Sequence, residues 1–339
     1  MKPAILNVEN LTVHFPVRQK NTLLRSTMSM LRAVDGISFS IREGETLGIV
    51  GESGCGKSTL SKAILQLIKP TSGQVVWQGE TLNELSLQEM DQKRQELQII
   101  FQDPLSSLNP RMTIGTIIGE PLKAFRPQLD KDARTLAVRK IMAEVGLEPA
   151  LMNRYPHEFS GGQCQRVGIA RAMILKPKLV ICDEPVSALD VSTQAQVIML
   201  LKKLQRESGT AFLFISHDLS VVRLMCERIL VMYLGRLAEI AERDELFNNP
   251  RHPYTRALLS AIPISAPQSQ RPKRIILSGE VPSPMDPPAG CVFHTRCPKA
   301  TRWCQKEVPT LQSVSPSHQV ACHYWKDQDR ETDGTLAGG

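Results

Sequence analysis

The chain has no stretch approaching the ~20 consecutive apolar residues that carry a helix across a bilayer, so no membrane-crossing helix is expected. Its opening residues, Met1-Lys-Pro-Ala-Ile-Leu-Asn-Val-Glu, lack the apolar region of a secretory signal, and the expected compartment is the cytosol. No heptad run is sustained and no internal repeat is visible, which speaks against coiled-coil insertions and repeat arrays. Aromatic residues fill only 5% of the 339 positions, too few for a base-stacking nucleic-acid surface. Acidic side chains are outnumbered by basic ones, 34 to 41, leaving a net charge of +7. That balance favours an anionic ligand or surface, and a nucleotide alone satisfies it.

What is present is apolar enough, at 42% hydrophobic, to bury a large domain plus an appendage. The chain is organised around Gly51-Glu-Ser-Gly-Cys-Gly-Lys-Ser-Thr59, a phosphate-binding loop of the G-x-x-x-x-G-K-[ST] pattern. Residues 46–50 before it form a short β-branched apolar run suited to a buried strand, and residues 60–68 after it are helix-permissive up to Pro70. In such a loop Gly51, Gly54 and Gly56 turn backbone N–H groups inward around phosphate oxygens, and Glu52, Ser53, Cys55 and Thr59 complete the cradle. Lys57 is expected at the β- and γ-phosphates of ATP, and the Ser58 hydroxyl on magnesium.

Taken in order, residues 5–15 alternate in the manner of a strand ending at Phe15. Residues 17–32 carry four basic and no acidic side chains, with Leu24, Met28 and Leu31 at helical spacing. A solvated insertion loop is expected there, the alternative being a short amphipathic segment beside anionic lipid or a partner. Residues 33–41 resume a strand. From about 104 to 157 the pattern is helical, with Ala133, Ala137, Ile141 and Val145 on one face and Gly146 as a stop. Residues 179–182 and 211–215 read as two further buried strands with an amphipathic helix over 197–204 between them. Strands alternating with helices after a phosphate loop imply an α/β fold with a mainly parallel, doubly wound sheet. Beyond residue 250 the chain turns proline-rich and irregular, giving one nucleotide-binding domain over 1–250 and an extension over 251–339.

Asp183 and Glu184 close the second strand, where an Asp can hold magnesium through water and the adjacent Glu can polarise an attacking water. Phe159-Ser-Gly-Gly-Gln163 opens a helix carrying Arg166 and Arg171, making a second anion-binding helix start. One ATP needs both ends only when two chains meet head to tail.

With these motifs in this order, the chain resembles an ATP-binding-cassette ATPase over residues 5 to about 245. Walker A is 51–59, the Q-loop glutamine is Gln102, the signature is 159–163, Walker B is 179–184, the D-loop is Ser187-Ala-Leu-Asp190 and the switch histidine is His217. The signature carries Phe where the family often has Leu. The resemblance implies a phosphate-loop fold with an antiparallel β subdomain and a helical subdomain at about 104–160. It implies that Phe15 stacks on adenine, that Gln102 senses the γ-phosphate and magnesium, that Asp183 holds magnesium, that Glu184 is the catalytic base and that His217 contacts the γ-phosphate. Ser160, Gly161, Gly162 and Gln163, with Asp190, are expected at the ATP held by the opposite subunit.

A narrower resemblance covers almost the whole chain. Phe101-Gln-Asp-Pro-Leu-Ser-Ser-Leu-Asn-Pro110, Asn249-Pro-Arg-His-Pro-Tyr-Thr-Arg-Ala-Leu258 and Gly290-Cys-Val-Phe-His-Thr-Arg-Cys-Pro298 are similar to the second ATPase subunit of oligopeptide and dipeptide importers. Relatives of that branch also carry nickel or glutathione. The partners implied are two transmembrane permease subunits, a second cassette ATPase and, indirectly, a substrate-binding protein, with the chain at the cytoplasmic face of the inner membrane. A soluble cassette acting on DNA or ribosomes is the rival of a different class. No nucleic-acid partner is expected.

Four of the eight cysteines, Cys291, Cys297, Cys304 and Cys322, crowd into the extension at intervals of six, seven and eighteen residues. The paired C-x-x-C knuckles of zinc ribbons are absent. Four thiolates in a loop-rich segment can hold a four-iron, four-sulfur cluster, which the resemblance also implies, with zinc as the alternative and unmetallated thiols as a third reading. His294, His318 and His323 nearby are alternative ligands, read first as bystanders to that site.

Overall fold

The computed structural model describes residues 2–22, 25–262 and 274–327. Strands β1 (Ala4–Thr22) and β2 (Arg25–Arg42) form a long antiparallel hairpin. Then come β3 (Thr46–Val50), α1 (Lys57–Ile64), β4 (Ser72–Trp77), β5 (Glu80–Thr81) and α2 (Leu87–Lys93). The middle of the chain gives β6 (Leu97–Ile100), α3 (Ile114–Phe125), α4 (Lys131–Glu144), α5 (Gly161–Met173), β7 (Leu179–Asp183) and α6 (Val191–Ser208). After these run β8 (Ala211–Ile215), α7 (Leu219–Met225), β9 (Arg228–Tyr233), β10 (Arg236–Glu242) and α8 (Arg243–Asn248). The extension adds α9 (Pro253–Ser260), β11 (Gln312–Ser315) and β12 (His318–Val320).

Two sheets result. A four-stranded antiparallel sheet has the order β2-β1-β4-β5, and an eight-stranded sheet has the order β11-β12-β10-β9-β3-β8-β7-β6. The stretch from β9 to β6 is parallel, as the strand–helix alternation requires, and β10, β12 and β11 continue it antiparallel. Strands β3, β7 and β8 are buried along their whole length because both faces are covered. Alternate residues feed two cores: Leu47, Ile181 and Leu213 join the one beneath the antiparallel sheet and α1. Cys182, Phe212 and Phe214 join the one shared with α3 to α7. No described helix is long and apolar enough to cross a membrane.

The expectation of a loop or amphipathic helix over residues 17–32 is overturned. The hairpin ladder runs through it, with Val17 opposite Ser29, Arg18 opposite Met28 and Phe15 opposite Leu31. Pairing satisfies the backbone of both arms at once, and that outweighs the helical spacing of three apolar side chains. Leu24 lies outside the described residues.

Helix starts are set locally. Asp130 accepts from the Ala133 amide at α4, Ser160 and Gln163 form a capping box at α5, and Asp190 accepts from the Thr193 amide at α6.

Candidate nucleotide-hydrolysis site

The phosphate loop leaves the C-terminal end of β3 and runs into α1. Gly56 takes φ +103, and a Cβ there would lie 2.0 Å from the Ala33 carbonyl oxygen, so only glycine serves. The loop is pinned from its far side where the Gly235 amide donates to the Cys55 carbonyl at 2.9 Å. Lys57 is buried, and its ammonium donates to the Gly51 and Glu52 carbonyls at 2.8 and 3.0 Å. The cation is thus held at the mouth of the loop by its own backbone, where an incoming phosphate would compete for it.

Beside the loop, the Ser58 hydroxyl donates to Asp183 Oδ1 at 2.9 Å. Burial first, and then the neighbouring charge of Glu184, push the Asp183 carboxyl above its ordinary range, against the opposing hydrogen bond from Ser58. An oxygen-only donor set around a nearly buried carboxylate suits a hard divalent cation, and these residues fit magnesium.

Glu184 sits one residue on, with φ +47 in the left-handed region, where a non-glycine residue carries strain. Its amide donates to the Ile215 carbonyl at 3.0 Å, which fixes it between β7 and β8. Two partners converge on one oxygen: Gln102 Nε2 donates to Glu184 Oε2 at 3.1 Å, and His217 Nδ1 lies 3.2 Å from the same atom. Gln102 follows β6 and His217 follows β8, so the ends of three strands that are consecutive in the sheet, though far apart in sequence, supply the cluster. His217 is 59% exposed and Glu184 15%, an open-sided arrangement able to receive a ligand.

The remaining expected residues make other contacts. Ser160 and Gln163 cap α5 reciprocally, at 3.3 Å and 2.9 Å, and Gly161 is exposed. A Cβ on Gly162 would come within 2.4 Å of Thr193 Cγ2, so the glycine lets α5 approach α6. Asp190 spends its carboxylate on Thr193, 3.0 Å to the amide and 2.7 Å to the hydroxyl. Phe15 is half-buried and packs against the core beneath the antiparallel sheet. A cavity of about 410 Å³ lined by Arg42, Glu45, Glu227 and Arg228 opens at the other end of the sheet, where β3 and β9 begin.

The metal expectation for the extension is corrected. Among the described residues no group of three or more His, Cys, Asp or Glu is placed to hold a metal ion, so neither the iron–sulfur cluster nor zinc on Cys291, Cys297, Cys304 and Cys322 is supported. Burial pushes the Cys297 thiol up to about 11 and the Cys322 thiol to about 12, and raises Cys291, so these side chains are held as neutral thiols, with no thiolate set formed in advance of a metal. Cys291 and Cys297 pack against the main apolar core as small hydrophobic side chains, and the Cys291 amide donates to the Cys304 carbonyl at 2.8 Å. His318 bridges Glu239 and Glu245.

Sequence spacing also missed that the extension reaches the loop. The Glu52 amide donates to the Tyr254 hydroxyl at 2.9 Å, and Arg296 binds the Glu52 carboxylate. These partners lie 202 and 244 positions away, and no local pattern announces such a pair.

Residues 34–187 match the family described as ABC transporter, and residues 238–304 match the C-terminal region of oligopeptide/dipeptide transporters. The oligopeptide transport ATP-binding protein OppF of Salmonella typhimurium is 53% identical over 322 residues, covering 95% of this chain and 96% of its own. The chain belongs to the ABC transporter ATP-binding subunits, in their oligopeptide branch. The Bacillus subtilis oligopeptide transport ATP-binding protein AppF is 50% identical over 95% of this cassette subunit and 97% of itself. Among solved structures, the ATP-binding cassette MJ0796, in a dimeric post-hydrolysis state bound to ADP and Pi, superposes with a TM-score of 0.63 at 30% identity. That alignment covers 70% of this chain and 98% of MJ0796. The subunit is accordingly an ATPase with the cassette fold.

Proposed function

We propose that this chain is the ATP-hydrolysing subunit of a peptide importer, and that hydrolysis runs at the Glu184 cluster. Its similarity over 95% of its length to oligopeptide transport ATP-binding proteins, extension included, carries the cargo class. The convergence of Gln102 and His217 on Glu184 Oε2 supports the chemistry.

In this reading the loop amides and Lys57 bind the β- and γ-phosphates of ATP. Ser58, Asp183 and Gln102 would hold magnesium, which when bound would neutralise charge on the phosphate oxygens. Glu184 takes the proton of the attacking water. His217 hydrogen-bonds the γ-phosphate and, with Gln102, keeps the Glu184 carboxylate aimed. Phe15 stacks on adenine. Ser160, Gly161, Gly162 and Gln163 at the start of α5, with Asp190, close on the ATP of an opposed cassette, so the working unit is a head-to-tail pair with a related second ATPase. The dimeric MJ0796 structure supports pairing of that kind. The ATPase domain is assigned to residues 1–250, with its helical subdomain at about 104–160, and the extension to 251–339. Two transmembrane permease subunits receive the closure, a binding protein delivers cargo outside, and the subunit works at the cytoplasmic face of the inner membrane.

The test is to tag the subunit at native level, solubilise membranes gently and identify what co-purifies. Recovery of two multi-span permeases and a second cassette supports the reading. Ribosomes or DNA-repair proteins with nothing from the membrane would overturn it and leave only the ATPase chemistry.

A further inference from the structure

We propose that Arg296 is a positioning residue of the nucleotide site: seated in the C-terminal extension, it holds the phosphate loop in its receiving shape through Glu52. The inference rests on the assignment of residues 51–59 as the ATP-binding loop and on nothing about cargo.

The geometry is a two-pronged clamp. Arg296 Nη1 donates to Glu52 Oε2 at 2.7 Å and Nη2 to Glu52 Oε1 at 3.0 Å, a parallel fork of the strong, orientation-specific kind. Arg296 is only 8% exposed and Glu52 27%, so the pair is shielded from the screening that makes surface ion pairs nearly worthless. The guanidinium lies 5.9 Å from the centre of the Tyr233 ring, with Nη1 at 3.5 Å from the Tyr233 hydroxyl. Arg296 Nε is buried without a hydrogen-bond partner, so an energetic cost is accepted where the fork is made.

The second prong acts on the backbone of the same residue. The Glu52 amide donates to the Tyr254 hydroxyl of α9, which is fully buried. Tyr254 stacks edge-on against Tyr233 at 4.7 Å and lies 5.4 Å from Phe293, and Phe293 accepts the Arg296 amide on its carbonyl at 3.0 Å. One aromatic cluster therefore carries both the arginine and the tyrosine that grip Glu52. The grip matters because the Glu52 carbonyl is one of the two oxygens that hold the Lys57 ammonium. Fixing the Glu52 side chain and amide fixes the peptide that aims Lys57, and a loop already in its bound shape pays less ordering entropy when ATP arrives. Because binding linkage is reciprocal, ATP should in turn tighten the extension onto the loop.

The experiment is steady-state ATP hydrolysis and equilibrium MgATP binding by the full chain, with wild type testing the loop assignment by itself. Arg296→Met should raise KM for ATP and the MgATP dissociation constant about 5- to 10-fold, with kcat within about two-fold, the scale of an ordinary coupling between sites. Glu52→Gln should reproduce that rise, and the double variant should be no worse than either single one. Arg296→Lys, a point charge without the fork, should recover part of the loss. Should Arg296→Met fail to fold, Glu52→Gln and Arg296→Lys still carry the test. Thermal destabilisation with KM unchanged, or a KM that rises for Arg296→Met alone and not for Glu52→Gln, would overturn the proposal and reduce Arg296 to a structural anchor of the extension.

Discussion

Two glutamate–histidine pairs in this molecule use the same side chains to opposite ends. At the C-terminal ends of the parallel strands, Glu184 and His217 lie 3.2 Å apart with the histidine 59% exposed. Beneath the extension, Glu239 and His318 lie 2.7 Å apart and both are wholly buried. The buried pair is saturated. Glu239 also accepts the Arg251 and His252 amides at 2.6 and 3.0 Å, and His318 Nδ1 reaches Glu245 at 3.0 Å. It ties β10, α8 and β12 into one unit. The exposed pair is left incomplete on its solvent side, and its glutamate sits in a strained backbone conformation. Saturation makes a staple, and incompleteness leaves a group able to act on a ligand.

The contrast predicts that the same kind of substitution should fail differently at the two places. The largest effect is expected for Glu184→Gln, which keeps the shape and removes the proposed base. Phosphate release should fall by about 10²- to 10⁴-fold, with MgATP binding and melting temperature retained. Sustained turnover by that variant would show that another group activates the water. Next, His318→Ala strips a buried carboxylate of its partner and should cost roughly 3–5 kcal/mol of unfolding free energy. KM for ATP should be nearly unchanged in the protein that remains folded, as read by denaturant unfolding alongside hydrolysis. A smaller effect, about 10- to 100-fold in kcat and little in stability, is expected for His217→Ala, because Gln102 still holds Glu184.

The smallest effect is a pH dependence. Burial opposes protonation of His318, but the hydrogen bonds it donates to Glu239 and Glu245 prevail and raise its pKa. Its contribution is therefore complete below its ordinary value of about 6.5 and is lost as pH climbs through the raised one. At His252 burial prevails instead, pushing it down to about 4, so its stability contribution is lost as pH falls from about 6.5 towards 4. Melting temperature against pH should show both limbs, and His318→Gln should flatten only the alkaline one. An unaltered alkaline limb in that variant would remove His318 from the account.

The strands that build the sheet were legible wherever the chemistry is local. Residues 46–50, 179–182 and 211–215 read as short apolar runs and fall within strands buried because both faces are covered, and the phosphate-loop pattern lies between a strand and a helix as its flanks predict. The hairpin over 17–32 was not legible, because antiparallel pairing is decided by the partner strand and Leu24, Met28 and Leu31 imitate a helix face. Proximity of the grouped cysteines in sequence imitates a ligand set, whereas Cys291 and Cys297 pack against the main apolar core. His318 was passed over for the opposite reason, since Glu239 and Glu245 lie more than seventy residues upstream. Arg296 and Tyr254 were invisible as loop partners for the same cause.

The pairing of β12 with β10 has a consequence for how the protein is made. The hairpin of β11 and β12 leaves the ribosome only after all the nucleotide-binding motifs, yet it forms the outer edge of the sheet that holds the phosphate-loop strand. Until residue 320 has emerged, β10 stands as an open edge with unpaired amides and carbonyls, and Glu239 is buried without His318. A message cut short before that point yields a nascent chain carrying every nucleotide-binding motif and a sticky flank, a natural client for chaperones and proteases rather than a smaller working ATPase.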